Sequence, residues 1–311
     1  MAIRAALGID VGGTTTKGGI VTPDGAIVSR FEQPSDRNAA TKGALAVADE
    51  LLERSEDVEI VAVGVGAAGF VEGSAITFSP NLTYDDPQLG AALEARTELP
   101  VVVDNDANVA AWGERAFGAA RGSEHVAMVT IGTGIGSGFV IDGQMLRGVT
   151  GAAAELGHTV IDPDGPDCTC GLKGCLEQLA SGTAIARMGR EAAEAERSTS
   201  ILSFAGSIDA ITAEHVARAA REYDDTAREV LRRAGRALGV GLSNIANLFD
   251  PEVIVLGGSV TQAGEPFLGP ARDELARMTA AQRRRPMRLA LSSLGGDAGI
   301  LGAAALALEA T

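Results

Sequence analysis

The chain has 311 residues, 46% of them hydrophobic and 22% charged, which excludes a disordered chain and points by length to two globular domains. Its 26 basic and 41 acidic residues give a net charge of −15, so nucleic acid and anionic membrane are poor partners, and no local basic patch offsets that charge. No apolar run approaches the roughly 18 residues needed to span a bilayer, and Asp10 interrupts the first apolar segment, against a secretory signal.

Residues 6–9 read as a buried strand, followed by Asp10 and the turn Gly12-Gly13-Thr14-Thr15-Thr16. The spacing predicts a second strand over 18–22, a hairpin at Pro23-Asp24-Gly25 and a third strand over 26–31. Helical spacing covers 39–54, and strands are predicted over 60–65 and 101–103. The same grammar then returns, with a strand over 126–131, the turn Gly132-Thr133-Gly134-Ile135-Gly136, a strand over 139–141 and a hairpin at Asp142-Gly143. Thr14 and Thr133 hold corresponding places in the two copies, as do Asp24 and Asp142. A single recurrence is no solenoid; it fits two similar α/β domains facing one another, each offering a Gly/Thr turn to the cleft between them. The polar stretch 191–200 reads as a helix end or loop. A long helix over about 226–247 follows from the spacing of Val230, Ala234, Leu238, Leu242 and Ile245, and Pro251 stops it. A strand over 253–256 enters Gly257-Gly258, and 300–308 form a last apolar helix. This alternation argues for an α/β fold.

Neither paired turn follows the P-loop or dinucleotide pattern. Gly64-Val65-Gly66-Ala67-Ala68-Gly69 does match G-x-G-x-x-G, but Phe70-Val71-Glu72-Gly73 reads as a strand and turn, leaving no helix N-terminus for a pyrophosphate. In the paired turns, glycine lets backbone N–H groups converge on an anion and threonine adds hydroxyl donors. Asp10 can hold Mg2+ through water while the turn holds phosphate. Either turn alone could be a plain hairpin; two similar turns with Asp10 favour phosphate. Gly257-Gly258 is either a close backbone approach to a flat ring such as adenine or a plain strand-to-helix turn.

Asp104-Asn105-Asp106-Ala107-Asn108 follows a strand, at the end where open α/β sheets bind ligands. An Asp there can accept a hydroxyl proton during phosphoryl transfer. The competing reading is that Asp104 or Asn105 caps a helix beginning near Val109; capping needs one such residue, not four. His158, Cys168, Cys170 and Cys175 make a Cys3His set suited to tetrahedral zinc, with Gly165, Gly171 and Gly174 to fold the loop. Free thiols or a strained Cys168–Cys170 disulfide compete with that reading. Three cysteines, clustered and odd in number, fit a structural metal in a reducing cytoplasm better than a disulfide framework. His125 and His215 need no function.

Asp10-Val11-Gly12-Gly13-Thr14, Asp104-Asn105-Asp106-Ala107-Asn108, Glu155-Leu156-Gly157-His158, the Cys168–Cys175 segment, Leu256-Gly257-Gly258 and Leu294-Gly295-Gly296-Asp297 together resemble the ROK family of bacterial sugar kinases and repressors. The resemblance covers the whole chain and is nearest its ATP-dependent glucokinase branch. It implies an actin/hexokinase-like (ribonuclease H-like) two-domain ATPase fold with a ligand cleft. The smaller domain would comprise 1–118 with a C-terminal helix at about 297–311, and the larger would comprise 119–296 with the zinc loop. It further implies transfer of the ATP γ-phosphate to the 6-hydroxyl of D-glucose, with Mg2+ accompanying ATP, zinc as a structural ion and Asp106 as the base.

By the same resemblance, Gly66, Asn81, Asn105, Asp106, Glu155, His158 and Glu177 would hold the sugar, His158 sharing its other ring nitrogen with zinc. Asp10, Gly12, Gly13, Thr14, Gly132, Thr133 and Gly134 would hold the phosphates, with Gly257 and Gly258 near adenosine. Thr15 stands where the family often has Lys, Ala68-Gly69 where many members have Pro-Gly, and Tyr84 where glucokinases often have Trp. The last two keep N-acetylmannosamine, N-acetylglucosamine, fructose and mannose open as substrates. A sugar-sensing regulator is the other family activity, but a first strand beginning by about residue 6 leaves no room before it for a helix-turn-helix. A cytoplasmic homodimer or homotetramer is implied as well.

Overall fold

β1 (Ile3–Val11) is apolar on both faces, and Ala5, Ala6, Leu7 and Ile9 are fully buried, as befits a central strand covered on two sides. The computed structural model describes residues 3–55, 58–279 and 287–311. β1 pairs antiparallel with β2 (Thr15–Val21) and parallel with β4 (Val58–Ala67). β3 (Ile27–Pro34) flanks β2 and β7 (Val101–Asn105) flanks β4, giving the order β3-β2-β1-β4-β7. A small hairpin of β5 (Phe70–Glu72) and β6 (Ala75–Phe78), turned at Gly73 with φ 65°, confirms that no helix follows the G-x-G-x-x-G segment.

The two faces of this sheet are built differently. Leu7 and Ile9 pack with Val47 and Leu51 of α1 (Ala40–Glu53), and α2 (Leu89–Thr97) adds Leu89 and Leu93 to the same core. Ala6 and Gly8 point the other way, toward α10 (Ala298–Glu309), which also packs on α3 (Asp106–Ala116). Glycine is required where α10 lies on backbone. A Cβ at Gly8 would stand 2.0 Å from the Ile300 carbonyl oxygen, and one at Gly64 1.8 Å from that of Ala303. One at Gly302 would stand 1.8 Å from that of Val109.

A second five-stranded sheet has the order β10-β9-β8-β11-β12, with β8 (Val126–Ile131), β9 (Ile135–Ile141), β10 (Gln144–Met145), β11 (Val253–Gly257) and β12 (Arg288–Leu291). Each sheet thus takes its strands in the same sequence, so the recurrence of the Gly/Thr turn is a recurrence of topology. Asp142 (φ 51°) and Gly143 (φ 71°) are both left-handed, as the two-residue hairpin between β9 and β10 needs. α4 (Glu177–Ala180), α5 (Gly182–Ala195), α6 (Ser200–Ala205) and α7 (Ala213–Arg221) lead to α8 (Asp225–Phe249). α8 buries Val230, Ala234, Leu238, Leu242 and Ile245 and ends at the left-handed Asp250, before Pro251. α9 (Glu265–Met278) packs along it. The polar stretch 191–200 is the end of α5 and the loop into α6.

By compactness the chain divides into one unit of 1–128, 138–154 and 292–311 and another of 129–137 and 155–291. This division differs from the expected boundaries at 118/119 and 296/297. Three contacts account for the difference. The Ala119 N–H, the Ser292 hydroxyl and the Leu294 N–H all donate to the buried Glu114 carboxylate of α3. Gly138 lies on α3, where a Cβ would stand 2.7 Å from the Ala107 carbonyl oxygen. Arg147 binds Asp104. Among the described residues no helix is long and apolar enough to cross a membrane.

Candidate active site

The parallel register of β1, β4 and β7 places Asp10, Gly66 and Asp104 side by side at the carboxyl ends of their strands. α3 starts directly after β7, and its polar residues sort into separate jobs. Asp104 is buried; its Oδ1 accepts from the Asn105 N–H and the Asn108 amide (2.9 Å), and its Oδ2 from Arg147 Nε (2.8 Å). Asn105 is the helix N-cap, its Oδ1 accepting from the N–H groups of Ala107 (2.9 Å) and Asn108 (3.3 Å), while its amide donates to the Gly69 carbonyl at 3.0 Å. The capping reading therefore holds for Asn105. Asp106 is half-buried in the first turn of α3, where its Oδ1 accepts from the same Ala107 N–H at 2.9 Å. The Tyr84 hydroxyl donates to the Ala68 carbonyl at 3.2 Å. Burial above all, then the charges of Asp106 and Asp10, push this phenol well above its ordinary range, which puts Tyr84 within electrostatic reach of both carboxylates. Asn81 is exposed in the loop between β6 and α2.

Asp10 faces Lys17 across the β1–β2 ladder, with Lys17 Nζ 3.2 Å from its Oδ2 and also donating to the Gly296 carbonyl. Burial raises the carboxyl above the usual range, and Lys17 pulls it back. Asp10 is thus a single hard oxygen donor beside the Gly12 turn, suited to a Mg2+ that keeps most of its waters. The turn itself closes by a 3.2 Å bond from the Gly12 N–H to the Thr15 carbonyl.

In the second unit, the Gly132 N–H donates to the Gly134 carbonyl (2.9 Å). Glu177 Oε2 accepts from the Ile135 N–H at 2.9 Å and lies so near Gly134 that a Cβ there would stand 2.3 Å away. Gly258 (φ 88°) rests on the end of β8, with the Ile131 carbonyl oxygen 2.3 Å from where its Cβ would be, so the third glycine pair meets the start of this turn. A turn of 3-10 helix at Leu156–His158 is anchored by the Leu156 N–H on Ser137 Oγ (3.2 Å), with Gly157 against the Ile135 carbonyl. Although Glu155 is exposed at its edge, burial of its carboxyl raises its pKa, with Glu177 adding to that and His158 opposing it.

His158 Nδ1 lies 3.7 Å from Cys168 Sγ, and Cys170 Sγ lies 3.6 Å from Cys175 Sγ. All four ligand atoms fall within 4.8 Å of one another. A zinc tetrahedron with Zn–S of about 2.3 Å has edges near 3.8 Å, so the donor set and its spacing fit zinc. Burial first, and the neighbouring sulfurs next, push the Cys175 thiol up to about 12, so a thiolate there calls for an adjacent cation. The loop closes over Gly174, where φ is 62° and a Cβ would stand 1.5 Å from the Asp162 carbonyl oxygen. No side chain fits there.

The sequence profile of the ROK family matches residues 6–310. The chain belongs to the ROK family. It is 39% identical to a glucokinase of Streptomyces coelicolor and 38% identical to one of Thermotoga maritima, over 97% of each chain in both cases. A crystal structure of a ROK family glucokinase from Streptomyces griseus, in complex with glucose and AMPPNP, aligns with a TM-score of 0.84 at 39% identity, covering 98% of this chain and 99% of that one. The fold is the actin/hexokinase-like two-domain kinase fold. What the sequence left invisible in this ROK protein is the set of polar partners: Arg147 on Asp104, Lys17 on Asp10, and Glu177 on the Gly132 turn. Lys17 alone had a signal, since a short hairpin between β1 and β2 sets it opposite Asp10.

Proposed function

We propose that this ROK protein is a glucokinase, transferring the γ-phosphate of ATP to the 6-hydroxyl of D-glucose. The observation that carries the reading is the near-full-length match to glucokinases, with the 104–108 cluster at the carboxyl end of β7. Asp104 holds Arg147 and Asn108, Asn105 caps α3, and Asp106, in the first turn of α3, is the residue that the ROK pattern makes the base, in a chain whose relatives at 37–39% identity are glucokinases. Asp106 accepts the proton of the 6-hydroxyl as that oxygen bonds to the γ-phosphorus and the bond to the ADP oxygen breaks.

Asn105 keeps its second amide proton for the sugar, and Gly66, Asn81, Glu155, His158 and Glu177 hydrogen-bond the other hydroxyls. With Nδ1 of His158 on the cysteine side, zinc would be held by His158, Cys168, Cys170 and Cys175, and Nε2 is the nitrogen left for the sugar. The turns at Gly12, Gly13 and Thr14 and at Gly132, Thr133 and Gly134 hold the phosphates, and Gly257-Gly258 lies near adenosine. Mg2+ bound beside Asp10 would neutralise phosphate charge. Catalysis on this reading is positioning and charge neutralisation. The cluster of free thiols fits a reducing cytoplasm, and assembly as a homodimer or homotetramer belongs to the same reading.

Tyr84 and Ala68, hydrogen-bonded beside Asp106, are the features that favour a second reading, a kinase of another hexose. A coupled ADP-release assay across glucose, mannose, fructose, N-acetylglucosamine and N-acetylmannosamine decides. Glucose is expected to have the highest kcat/KM by at least about tenfold. A different preferred hexose replaces glucose in the reading, and no turnover on any of them ends it.

A further inference from the structure

The first glycine turn is strapped from outside by residues to which the kinase reading gives no task. Beyond β3, Ser35 and Arg37 donate to three successive carbonyls of the turn. Ser35 Oγ donates to Gly12 (2.6 Å), Arg37 Nε to Gly13 (3.2 Å) and the Ser35 N–H to Thr14 (2.9 Å). In a planar trans peptide the N–H points opposite to the C=O. Fixing these three carbonyls therefore turns the N–H groups of Gly13, Thr14 and Thr15 the other way. Successive N–H groups on one side form an anion-binding nest. The space beside Gly13 is open, since a Cβ there would meet nothing within 4 Å. The strap is itself anchored, by Ser35 Oγ on Thr16 Oγ1 (2.9 Å) and by the Thr83 N–H on the Arg37 carbonyl (2.7 Å). Arg37 is exposed, so its guanidinium brings positive charge to the turn of a protein whose net charge is −15.

The second turn carries the same device in other residues. The Gly182 N–H donates to the Gly132 carbonyl (2.8 Å), and the Thr183 hydroxyl and N–H donate to that of Thr133 (2.8 and 3.3 Å). Two turns whose carbonyls are held by quite different segments share one outcome, namely amides facing away from the strap.

We propose that Ser35 and Arg37 are positioning residues for the nucleotide. They pre-orient the Gly13–Thr15 amides toward the polyphosphate of ATP, and the Arg37 charge draws that anion in. The inference rests on the glucokinase reading, and the wild-type arm of its test separates the two. Calorimetry measures Mg·AMPPNP and glucose binding for wild type, Ser35→Ala, Ser35→Thr and Arg37→Ala, beside KM and kcat and a thermal melt. Wild type that neither binds AMPPNP nor phosphorylates glucose overturns the glucokinase reading. With wild type active, Ser35→Ala and Arg37→Ala are expected to weaken AMPPNP by about fivefold or more, the effect of one hydrogen bond, with glucose affinity unchanged within about twofold. Ser35→Thr restores the affinity, and only the Arg37→Ala deficit shrinks in high salt. AMPPNP affinity equal to wild type in both alanine variants, or a loss that falls equally on glucose, overturns the strap.

Discussion

Asp104 and Asp106 stand two positions apart and face opposite demands. Asp104 is enclosed and accepts from three donors, so its carboxylate is held in place and has no geometry left for a substrate proton. Asp106 sits one helical position beyond the cap, where the chain has turned from β7 into α3. Changing Asp106 to Asn keeps size and hydrogen bonding but removes the proton acceptor. We expect kcat to fall by about 10²–10⁴, the usual worth of a general base, with glucose binding retained within a few-fold by calorimetry. Turnover near wild type in Asp106→Asn would place the base elsewhere. That this cluster does more than cap a helix was legible from sequence, because four hydrogen-bonding residues at a strand end exceed what one cap needs. The division of labour inside it was not. It depends on Arg147 and Gly69, which lie far along the chain and carry no local signal for their partners.

Elements were legible in proportion to how far local pattern decides them. The long helix α8 matches its periodicity to within two residues at each end, because its apolar stripe and its cap at Asp224 are both local. The strand β1 outruns its apolar run at both ends and β2 begins three residues before its own, since ladder pairing with neighbours sets strand ends. The short elements β6, α4 and α6 left little trace, whereas Phe70-Val71-Glu72 and the Asp142-Gly143 turn announced β5 and the β9–β10 hairpin. The Cys3His loop is the opposite case. Its cysteines and its glycines lie in one short stretch, so the site could be read residue by residue, and only His158 comes from before it. Cys170 is exposed while Cys168 and Cys175 are buried, so Cys170→Ser removes one ligand at the rim with little change in packing. Metal analysis should show about one zinc per chain in wild type and a large loss in this variant. Because the loop positions His158 and, through Cys175 and Leu176, the start of α4 with Glu177, glucose KM should rise by about 10–100-fold, the range for disturbed metal surroundings. A zinc-free protein with unchanged glucose KM would remove the metal from the account.

At the scale of the whole molecule, the chain uses one sheet order twice and puts a Gly/Thr turn between the first two strands of each copy. The repeat was visible because turn residues are constrained by backbone conformation whatever surrounds them. The means of holding each turn was not, because the copies recruit unrelated segments, a strap after β3 in one and the N-terminus of α5 in the other. If both turns hold the same polyphosphate, each strap should contribute to nucleotide affinity separately. Thr183→Val removes the hydroxyl that donates to the Thr133 carbonyl while keeping the side chain's shape. We expect it to weaken Mg·AMPPNP by about fivefold, as one hydrogen bond would. Since the two straps share no partner, the free energies should add, so Ser35→Ala with Thr183→Val should cost about 25-fold. Thermal melts of the single and double variants show whether folding is intact. A Thr183→Val protein that binds AMPPNP as wild type does, beside a weakened Ser35→Ala, would confine the phosphates to the first turn, and the duplicated turn would then be shared ancestry of shape without shared use.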